Sequence, residues 1–424
     1  MTTMPTPDID VAMSRRGFLT GALLAGAGAM AFSPEILAQA LTSGKTPEEI
    51  QGWGVDPGEV HIGANENPLG PSPRAVEAVV QSLYKSNRYG FNSFDLAMPL
   101  MRQHRIGRKW QAGMREQQGD FFGMLSASPI IISPGSSMIL QTLLTSQMSQ
   151  GGHLVESSSA YGHLSMAAGW FQRSGVPVEV TRVPLGPEYR VDLDAIRDAI
   201  IPGKTKLVGV TNPNNPTGTI VDAAQLKQFV ASVPEDVIVH VDEAYFEFIR
   251  EPDYPSAISW ALDHENVIVT RTFSKIYGLA GMRMGYAVCN PKLTGRLLPF
   301  IGFPDLNLSS MSLAGAIAAM DDEDHVRRTK QVTDEGKDYL MKEAEAMGLE
   351  SVPSHSNFML INFDKDTKAI VDALAEKKVF VRYPGDAPPL GDWGLPTSIR
   401  VSIGTAEELE AFVNTLKAVM KTQS

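Results

Sequence analysis

Lys275 is the residue whose setting in this sequence first indicates covalent chemistry. It closes the segment Thr270–Lys275 after a short β-branched run, and Arg283 follows it past a glycine-containing bend. A lysine in a confined site can form an imine once its pKa is depressed, and a nearby arginine can bind a phosphate through two hydrogen bonds. A Ser-Lys pair alone is more often a solvated pair, so the other motifs decide its meaning.

Two earlier segments place polar turns directly after predicted strands. Ser133–Ser137 (SPGSS) predicts a turn that opens a helix, where backbone N–H groups and hydroxyls can bind an anion. Asn212–Gly218 (NPNNPTG) predicts a rigid turn at the carboxyl end of a strand, where open α/β sheets bind ligands. Each has a plainer interpretation, because Gly-Ser turns also punctuate ordinary helices and amide-rich turns also form simple loops.

Asp242 ends a hydrophobic strand in the segment Val239–Tyr245 (VHVDEAY). A carboxylate half buried at that edge requires a cationic partner or a metal ion. Magnesium is one alternative for the Asp-Glu pair, although the phosphate-binding turn of nucleotide hydrolases is missing. A ring nitrogen that must remain protonated would suit Asp242 as well. The four segments, in this order, favour a functional role for Lys275.

These segments need strands and helices to bring them together. Short apolar or β-branched runs predict buried strands that begin at Ile130, Val178, Lys206, Val237, Val267 and Met284. Helix-like spacing separates them, as at Ser136–Gln147 and Ala223–Val233. The alternation predicts an α/β domain with a mainly parallel sheet.

The last third of the chain changes character. A charged, helix-like stretch runs from Asp321 to Met347, and a smaller group of strands is predicted near Phe358, Val379 and Ile399. This change predicts a second, smaller α+β domain that starts near residue 305.

The N-terminal segment differs from everything that follows it. Arg15 and Arg16 directly precede small and apolar residues that run to Phe32, and Ala38-Gln39-Ala40 has the small-x-small pattern of a signal peptidase site. The apolar stretch is too short and too weakly hydrophobic for a comfortable membrane span. It resembles a twin-arginine export signal, the type that moves folded proteins. We predict cleavage after Ala40 and a periplasmic or extracellular location; a glycine-rich tail and an uncleaved anchor are the alternatives.

Composition limits the class of protein further. The 424 residues are 43% hydrophobic and 20% charged, which leaves ample apolar material for a globular core. The net charge of −11, without any Lys/Arg run, argues against a nucleic-acid partner. The one cysteine, Cys289, excludes an internal disulfide framework and is predicted to be a core side chain. No metal site is predicted.

From about Val60 to the C-terminus, the chain resembles the fold-type I pyridoxal 5′-phosphate (PLP) enzymes, specifically the class I/II aminotransferases. The motifs NNPTG, VDEAY and SK…R carry the resemblance in combination. Ala64–Pro71 (ANENPLGP) and Ile399–Thr405 (IRVSIGT) add a resemblance to the histidinol-phosphate aminotransferase branch. Together with the export signal, the predicted organisation is a signal peptide (1–40), an N-terminal arm (41–75), a large PLP-binding domain (76–304) and a small C-terminal domain (305–424).

The resemblance implies a role for each cofactor residue. Lys275 would hold PLP and then act as general acid and base, and Asp242 would pair with the pyridinium nitrogen. Tyr161 would stack on the ring, and Tyr89 resembles a tyrosine that reaches a phosphate in the neighbouring subunit, which implies a homodimer with shared sites. The phosphate would be bound by Ser136, Ser137, Ser274 and Arg283, and the phenolate oxygen of the ring by Tyr245 and Asn215.

Substrate binding is implied for Arg400 and Arg382, with Asn65 and Asn357 as minor contacts. In the wider family the arginine at Arg400 binds a substrate α-carboxylate, whereas in the histidinol-phosphate branch both arginines face a phosphate. The loop from Tyr383 to Ser398 between them is rich in proline and glycine and looks longer than the branch usually has. The substrate therefore stays open between an amino acid and a histidinol-phosphate-like amine, with a 2-oxo acid as the second reactant.

Two alternatives share these cofactor residues. A fold-type I decarboxylase or lyase would differ in which bond of the substrate Cα stands perpendicular to the ring. A PLP-binding sensor would bind the cofactor without turnover, and it usually carries a fused DNA-binding segment for which this chain has no room. We predict a PLP-dependent aminotransferase of small molecules, in contact with a membrane only during export.

Overall fold

The computed structural model describes residues 58–90, 93–117, 119–385 and 393–423. The predicted export signal, residues 1–40, lies outside the described residues, and so do residues 386–392 of the loop between Arg382 and Arg400.

The strands of the described residues form three sheets. They are β1 (Val60–His61), β2 (Ile130–Ser133), β3 (Gly152–Ser157), β4 (Val178–Val183), β5 (Thr205–Thr211), β6 (Ile238–Asp242), β7 (Val267–Thr272), β8 (Gly285–Cys289), β9 (Glu350–Val352), β10 (Phe358–Asn362), β11 (Val379–Phe380) and β12 (Ser398–Ser402). One large sheet has the order β2-β8-β7-β6-β5-β3-β4, a second has the order β12-β10-β9, and β1 pairs with β11.

The large sheet is mainly parallel. Strands β4, β3, β5, β6 and β7 run parallel to one another, whereas β8 is antiparallel to both β7 and β2. Strands β6 and β7 are buried at every residue, as expected where both faces of a parallel sheet are covered. The predicted α/β architecture is confirmed, and all the strands predicted for this sheet are present.

Helices connect the strands and cover the sheets. They are α1 (Pro73–Leu83), α2 (Ser93–Gln103), α3 (Arg108–Glu116), α4 (Phe121–Ser126), α5 (Ser136–Met148), α6 (His163–Arg173), α7 (Leu193–Asp198), α8 (Ala223–Ser232), α9 (Ile258–Ala261), α10 (Pro291–Ile301), α11 (Pro304–Asn307), α12 (Ser310–Met320), α13 (Glu323–Ala346), α14 (Lys368–Glu376) and α15 (Ala406–Gln423). Side-chain caps fix some of their starts: Asp222, for example, accepts a hydrogen bond from the Gln225 N–H at 2.9 Å. Among the described residues, no helix combines the length and the hydropathy that a membrane span requires.

Alternate residues of each central strand enter two cores, one on each face of the large sheet. On β6, Val239 and Val241 pack in one core and Ile238 packs in the other. His240 and Asp242 share the face of Ile238, because successive side chains of a strand point to opposite sides. Cys289 is buried in the second core, which confirms its predicted place.

Strand β3 lies inside the large sheet, yet the sequence pattern does not predict it. Only Leu154 and Val155 of its sequence GHLVES are strongly apolar. His153 is buried and hydrogen-bonds Thr205 and Thr181 on the two neighbouring strands, at 2.8 Å each. Buried polar residues that form hydrogen bonds across the sheet interrupt the apolar run of a strand. A search for hydrophobic patterns in the sequence therefore does not detect such a strand.

The C-terminal sheet and the β1–β11 pair share a separate core. Val60 from β1 packs there with Ile361 from β10, Val401 from β12 and Phe412 from α15. Helix α12 contributes to the core of the large sheet instead, through residues such as Leu313. Strand β1 therefore packs in the same core as the C-terminal sheet. The predicted domain limits, including the one at residue 305, stay a prediction.

A buried ion pair ties the segment after β6 to strand β7. Arg271 is 4% exposed and donates to the Glu243 carboxylate through Nε (2.8 Å), with Nη2 2.7 Å from the same oxygen. Its Nη1 donates to Glu247 at 2.7 Å, and its guanidinium stacks on the Phe246 ring at 4.0 Å. The two carboxylates hold the pKa of Arg271 above its usual value despite burial, so the guanidinium stays charged.

We expect Arg271→Met to lower the free energy of unfolding by about 3–5 kcal/mol, because it leaves the Glu243 carboxylate buried without its cation. Chemical denaturation of the purified protein measures this change. Lys368→Met is the matched control: it removes an exposed ion pair with Asp372 (2.6 Å) and should cost less than about 1 kcal/mol. Equal, small effects of the two variants would contradict the importance of the buried pair.

Candidate active site

A cavity of about 160 Å³ lies where the carboxyl ends of β5, β6 and β7 meet. Most of the predicted cofactor residues line it: Ser136, Ser137, Tyr161, Asp242, Tyr245, Ser274, Lys275 and Arg283. Parallel strands bring their carboxyl ends to one edge of the sheet, and this is why motifs that are far apart in sequence meet here. A larger groove of about 650 Å³, between Pro187–Tyr189, α7 and α8, contains none of the predicted site residues.

The Lys275 amine is held by backbone oxygens of the N-terminal segment. Its Nζ donates to the carbonyl oxygens of Asn65 (2.9 Å) and Ala64 (3.3 Å). Burial lowers the pKa of Lys275 to about 8, and the nearby Arg400 and Arg283 guanidinium groups act in the same direction. A larger share of this amine is therefore neutral near pH 7 than is usual for lysine, as a nucleophile requires.

One end of the cavity has the donors that an anion needs. Ser136 and Ser137 open helix α5, and the Ser274 hydroxyl and the Arg283 guanidinium line the same cavity. Arg283 donates from Nη1 to the Ala280 carbonyl oxygen at 2.9 Å and has no ion pair among the described residues. Gly135 has a φ of 75°, and a Cβ atom at this position would collide with the Arg283 guanidinium. The side chains predicted to bind the phosphate thus surround Arg283, a cation that no carboxylate neutralises among the described residues.

Asp242 lies on the floor of the cavity and is 4% exposed, so it is fully rather than half buried as the sequence pattern suggested. Both of its hydrogen bonds within the described residues end on Oδ1: one comes from the Ala244 N–H (3.2 Å) and one from the Thr270 hydroxyl (3.1 Å). Burial raises the pKa of Asp242 to about 6, against the effect of these two donors. A cation beside Oδ2 would favour the ionised form.

Tyr245 receives two hydrogen bonds from amide groups. Its hydroxyl oxygen accepts from Asn65 Nδ2 (3.0 Å) and Asn215 Nδ2 (3.2 Å), which leaves the hydroxyl proton for an acceptor in the cavity. Burial raises the pKa of Tyr245, so the hydroxyl keeps this proton. Asn215 itself does not line the cavity: its amide oxygen accepts from Arg400 Nη1 at 2.6 Å. Tyr161 lines the cavity, with its ring parallel to His163 at a centroid distance of 6.1 Å.

Asn65 connects more parts of the site than its predicted role as a minor substrate contact implies. Its backbone oxygen accepts from Lys275 and from Asn357 Nδ2 (3.1 Å), and its side chain donates to Tyr245. The Ser402 hydroxyl of β12 donates to the Asn65 side-chain oxygen at 2.9 Å. Asn65 has a φ of 56°, a backbone conformation that asparagine tolerates better than most residues. The motif ANENPLGP marks the segment, but a linear motif cannot reveal these long-range contacts.

Arg400 and Arg382 lie side by side, because their backbones form an antiparallel bridge. Arg400 is 4% exposed, donates from Nη2 to the Gly63 carbonyl oxygen (2.6 Å) and has no ion pair among the described residues. Burial lowers the pKa of Arg400 to about 10, and Arg382 adds to this effect. The two guanidinium carbons lie 5.2 and 5.5 Å from the ring of Trp393, which is fully buried.

The sequence interpretation missed Trp393 and Glu66. Trp393 comes from the long loop between the two arginines and packs on both of them, and a lone tryptophan in a Pro/Gly-rich loop was the only available signal. Glu66 lines the cavity and opposes the lowering of the Lys275 pKa. Tyr89 was predicted to act in a neighbouring subunit, and in this chain it lies on the surface with 82% of its area exposed.

These observations fit the expected cofactor. A partly buried lysine amine, an anion-binding group around Arg283 and a buried carboxylate line one cavity together. PLP carries an aldehyde, a phosphate and a ring nitrogen, and these groups need such partners. The donor set of the cavity is therefore complementary to PLP.

The sequence matches the family described as aminotransferase class I and II over residues 58–416. Among curated relatives, histidinol-phosphate aminotransferase 2 of Methylococcus capsulatus is 34% identical over 365 residues, which cover 85% of this chain and 90% of that protein. The match spans every described motif of the site.

Solved structures have the same fold. Histidinol-phosphate aminotransferase from Sinorhizobium meliloti, in complex with pyridoxal-5′-phosphate, has a TM-score of 0.74 at 27% identity and covers 90% of this chain and 99% of its own. L-threonine-O-3-phosphate decarboxylase from Porphyromonas gingivalis has a TM-score of 0.67 at 15% identity, covering 85% of this chain and 99% of its own. The second likeness shows the fold alone, and it illustrates that this fold serves more than one reaction.

The predicted fold-type I architecture, the transaminase reaction class and PLP as cofactor are confirmed at the level of the family. The roles of single residues stay predictions. Because the family match extends over most of the described residues, the chain belongs to the class I and II aminotransferases, a family of PLP-dependent enzymes.

Proposed function

We propose that this PLP-dependent aminotransferase uses Lys275 both to hold the cofactor and to move the proton at the substrate Cα. The convergence of the predicted cofactor side chains on one cavity carries this proposal. When bound, PLP supplies an electron sink that allows a bond at Cα to break. The protein supplies the remaining parts, namely anchoring, orientation and a proton carrier.

Lys275 is suited to both of its tasks by the environment of its amine. With a pKa of about 8, about a tenth of the amines are neutral at pH 7, against fewer than about one in a thousand for an ordinary lysine. The carbonyl oxygens of Ala64 and Asn65 fix the direction of Nζ without neutralising its charge. The amine can therefore accept a proton and return it from a defined position.

The other side chains hold the cofactor by its polar groups. Ser136, Ser137, Ser274 and Arg283 would bind the phosphate, since they form the anion-binding end of the cavity. Asp242 would pair with the ring nitrogen through Oδ2, and Tyr245 would donate its free proton to the phenolate oxygen. Asn215, directed at Tyr245 and Arg400, would act by orienting both rather than through a contact of its own.

The substrate is an anionic amine. Arg400 is a buried cation without a carboxylate partner among the described residues, so an anion of the substrate would complete its environment. The relatives named histidinol-phosphate aminotransferase support a phosphate-bearing amine, whereas a carboxylate on an amino acid would suit the same guanidinium. Assays with histidinol phosphate, aromatic amino acids and other donors, each with 2-oxoglutarate, distinguish the two.

A homodimer with shared sites is part of the proposal. The described surface exposes several large apolar side chains: Phe122 is 56%, Phe300 47%, Leu306 55% and Tyr89 82% exposed. Apolar area of this kind favours burial against another chain. A sedimentation mass of a single chain for the active enzyme would contradict this part of the proposal.

Lys275→Ala should abolish turnover and remove the visible absorption band of the bound cofactor, because no other described lysine lines the cavity. Spectra of the purified variant with added PLP and a glutamate-formation assay measure the two effects. Lys337→Ala is the matched control, since Lys337 is also buried but pairs with Asp334 (3.1 Å) away from the cavity, and it should keep the band. A wild-type band in Lys275→Ala would refute the assignment, and carbon dioxide release without glutamate formation by the wild type would favour a decarboxylase.

Export as a folded protein is also proposed, on the basis of the N-terminal sequence. Replacing both Arg15 and Arg16 by lysine should retain the protein in the cytoplasmic fraction, because the paired guanidinium groups are the recognised feature of such signals. Cell fractionation and the mass of the mature chain, with cleavage after Ala40, measure this. The same replacement at the Arg327–Arg328 pair of α13 must leave the distribution unchanged. Equal distribution of wild type and the Arg15/Arg16 variant would refute export by this route.

A further inference from the structure

His240 does not line the cavity, but it is connected to the Asp242 carboxylate through the Thr270 hydroxyl. The two residues are two positions apart on β6, so their side chains share one face of the sheet. Thr270 of β7 is the register partner of Asp242 and completes the group on that face. His240 Nε2 lies 2.8 Å from Thr270 Oγ1, which lies 3.1 Å from Asp242 Oδ1.

The proton positions in this row are determined by counting donors. The Thr270 hydroxyl has one proton, and the carboxylate oxygen can only accept, so this proton points to Asp242. The short contact between Thr270 Oγ1 and His240 Nε2 then requires a proton on Nε2. His240 is 2% exposed, and burial lowers its pKa to about 3, with His163 as the neighbouring titratable group. His240 is therefore a neutral imidazole with its proton on Nε2.

Both hydrogen bonds point in the direction of the carboxylate. A hydroxyl that accepts one hydrogen bond becomes a stronger donor in the next, and the effect is larger in a buried environment. Donation to an ionised carboxylate favours its charged form, which opposes the effect of burial on Asp242. Of the charged groups that influence Asp242, Lys275 also favours the ionised form and Glu243 disfavours it. His240 and Thr270 thus add to the few influences that keep Asp242 ionised.

We propose that His240 is a positioning residue for the cofactor ring: through the Thr270 hydroxyl it fixes Asp242 Oδ1, keeps the carboxylate ionised and leaves Oδ2 for the ring nitrogen. This inference rests on the proposed role of Asp242. It assigns a function to a buried histidine that the site described above does not use.

The test measures the protonation of the PLP ring nitrogen directly. Holoenzyme is prepared with PLP carrying ¹⁵N at the ring position, and the chemical shift of that nitrogen and the dissociation constant of PLP are measured. His240→Phe and Thr270→Val each remove one link, and both should move the shift towards that of the unprotonated ring and weaken PLP binding about 3- to 10-fold. The double variant should weaken binding no more than Thr270→Val alone, because His240 acts on Asp242 only through the Thr270 hydroxyl.

Conservative variants separate this role from simple packing. His240→Gln and Thr270→Ser retain a donor and a hydroxyl, and they should recover the wild-type shift and dissociation constant. His153→Phe is the matched control, since His153 is another buried histidine that contacts threonines of adjacent strands (2.8 Å) in the same sheet. It should change stability without moving the nitrogen shift.

Two outcomes would overturn the inference. One is a folded His240→Phe or Thr270→Val holoenzyme with the wild-type shift and dissociation constant; if His240→Phe does not fold, Thr270→Val decides, since it keeps the side-chain volume. The other is a change of the ¹⁵N chemical shift in His240→Phe that Thr270→Val does not reproduce. That result would show that His240 does not act through the Thr270 hydroxyl. Asp242→Asn provides the reference: if it leaves the nitrogen shift unchanged, the proposed role of Asp242 is itself wrong.

Discussion

An excess of cationic side chains over the carboxylates of Asp242 and Glu66 organises this site. Lys275, Arg283 and Arg400 converge on or beside one cavity, and neither arginine has an ion pair among the described residues. Removing cations from water without a counter-charge is unfavourable, and the lowered pKa values of Lys275 and Arg400 reflect this. The anionic groups of cofactor and substrate remove that penalty when they bind. On the proposed function, the protein selects anionic ligands through this imbalance of charge.

Contacts around the cavity hold these charged side chains in place. The large sheet supplies Asp242 and Lys275 at its carboxyl edge, and the buried Arg271–Glu243 pair fixes the segments that carry them. Asn65 joins this side of the cavity to the C-terminal sheet, since it contacts both Lys275 and Ser402. A change in the relative position of the two sheets would therefore alter the hydrogen bond between Asn65 and the Lys275 amine.

The chemistry of the site was more predictable than its supporting contacts. Lys275, Asp242 and Arg283 follow strands that have clear apolar patterns, and parallel strands must deliver their carboxyl ends to one edge. Strand β3 escaped prediction because His153 and Glu156 are buried polar residues with tertiary partners. The contacts of Asn65, Trp393 and His240 depend on residues far away in sequence, and no local pattern encodes such distances. The sequence thus allows the order of the motifs along the strands to be inferred. It does not allow the hydrogen bonds between elements to be inferred.

The pairing of β1 with β11 has a consequence for how the protein is made. Val60 pairs with Val379, so the first strand described has no partner until nearly the whole polypeptide has left the ribosome. Asn65 follows that strand by a few residues, and its carbonyl oxygen accepts a hydrogen bond from Lys275. The nascent chain consequently carries a complete set of cofactor side chains before it has a finished site. The residues of β1 are synthesised before the rest of the described chain, yet their strand pairing can form only after Val379 and Phe380 have been made.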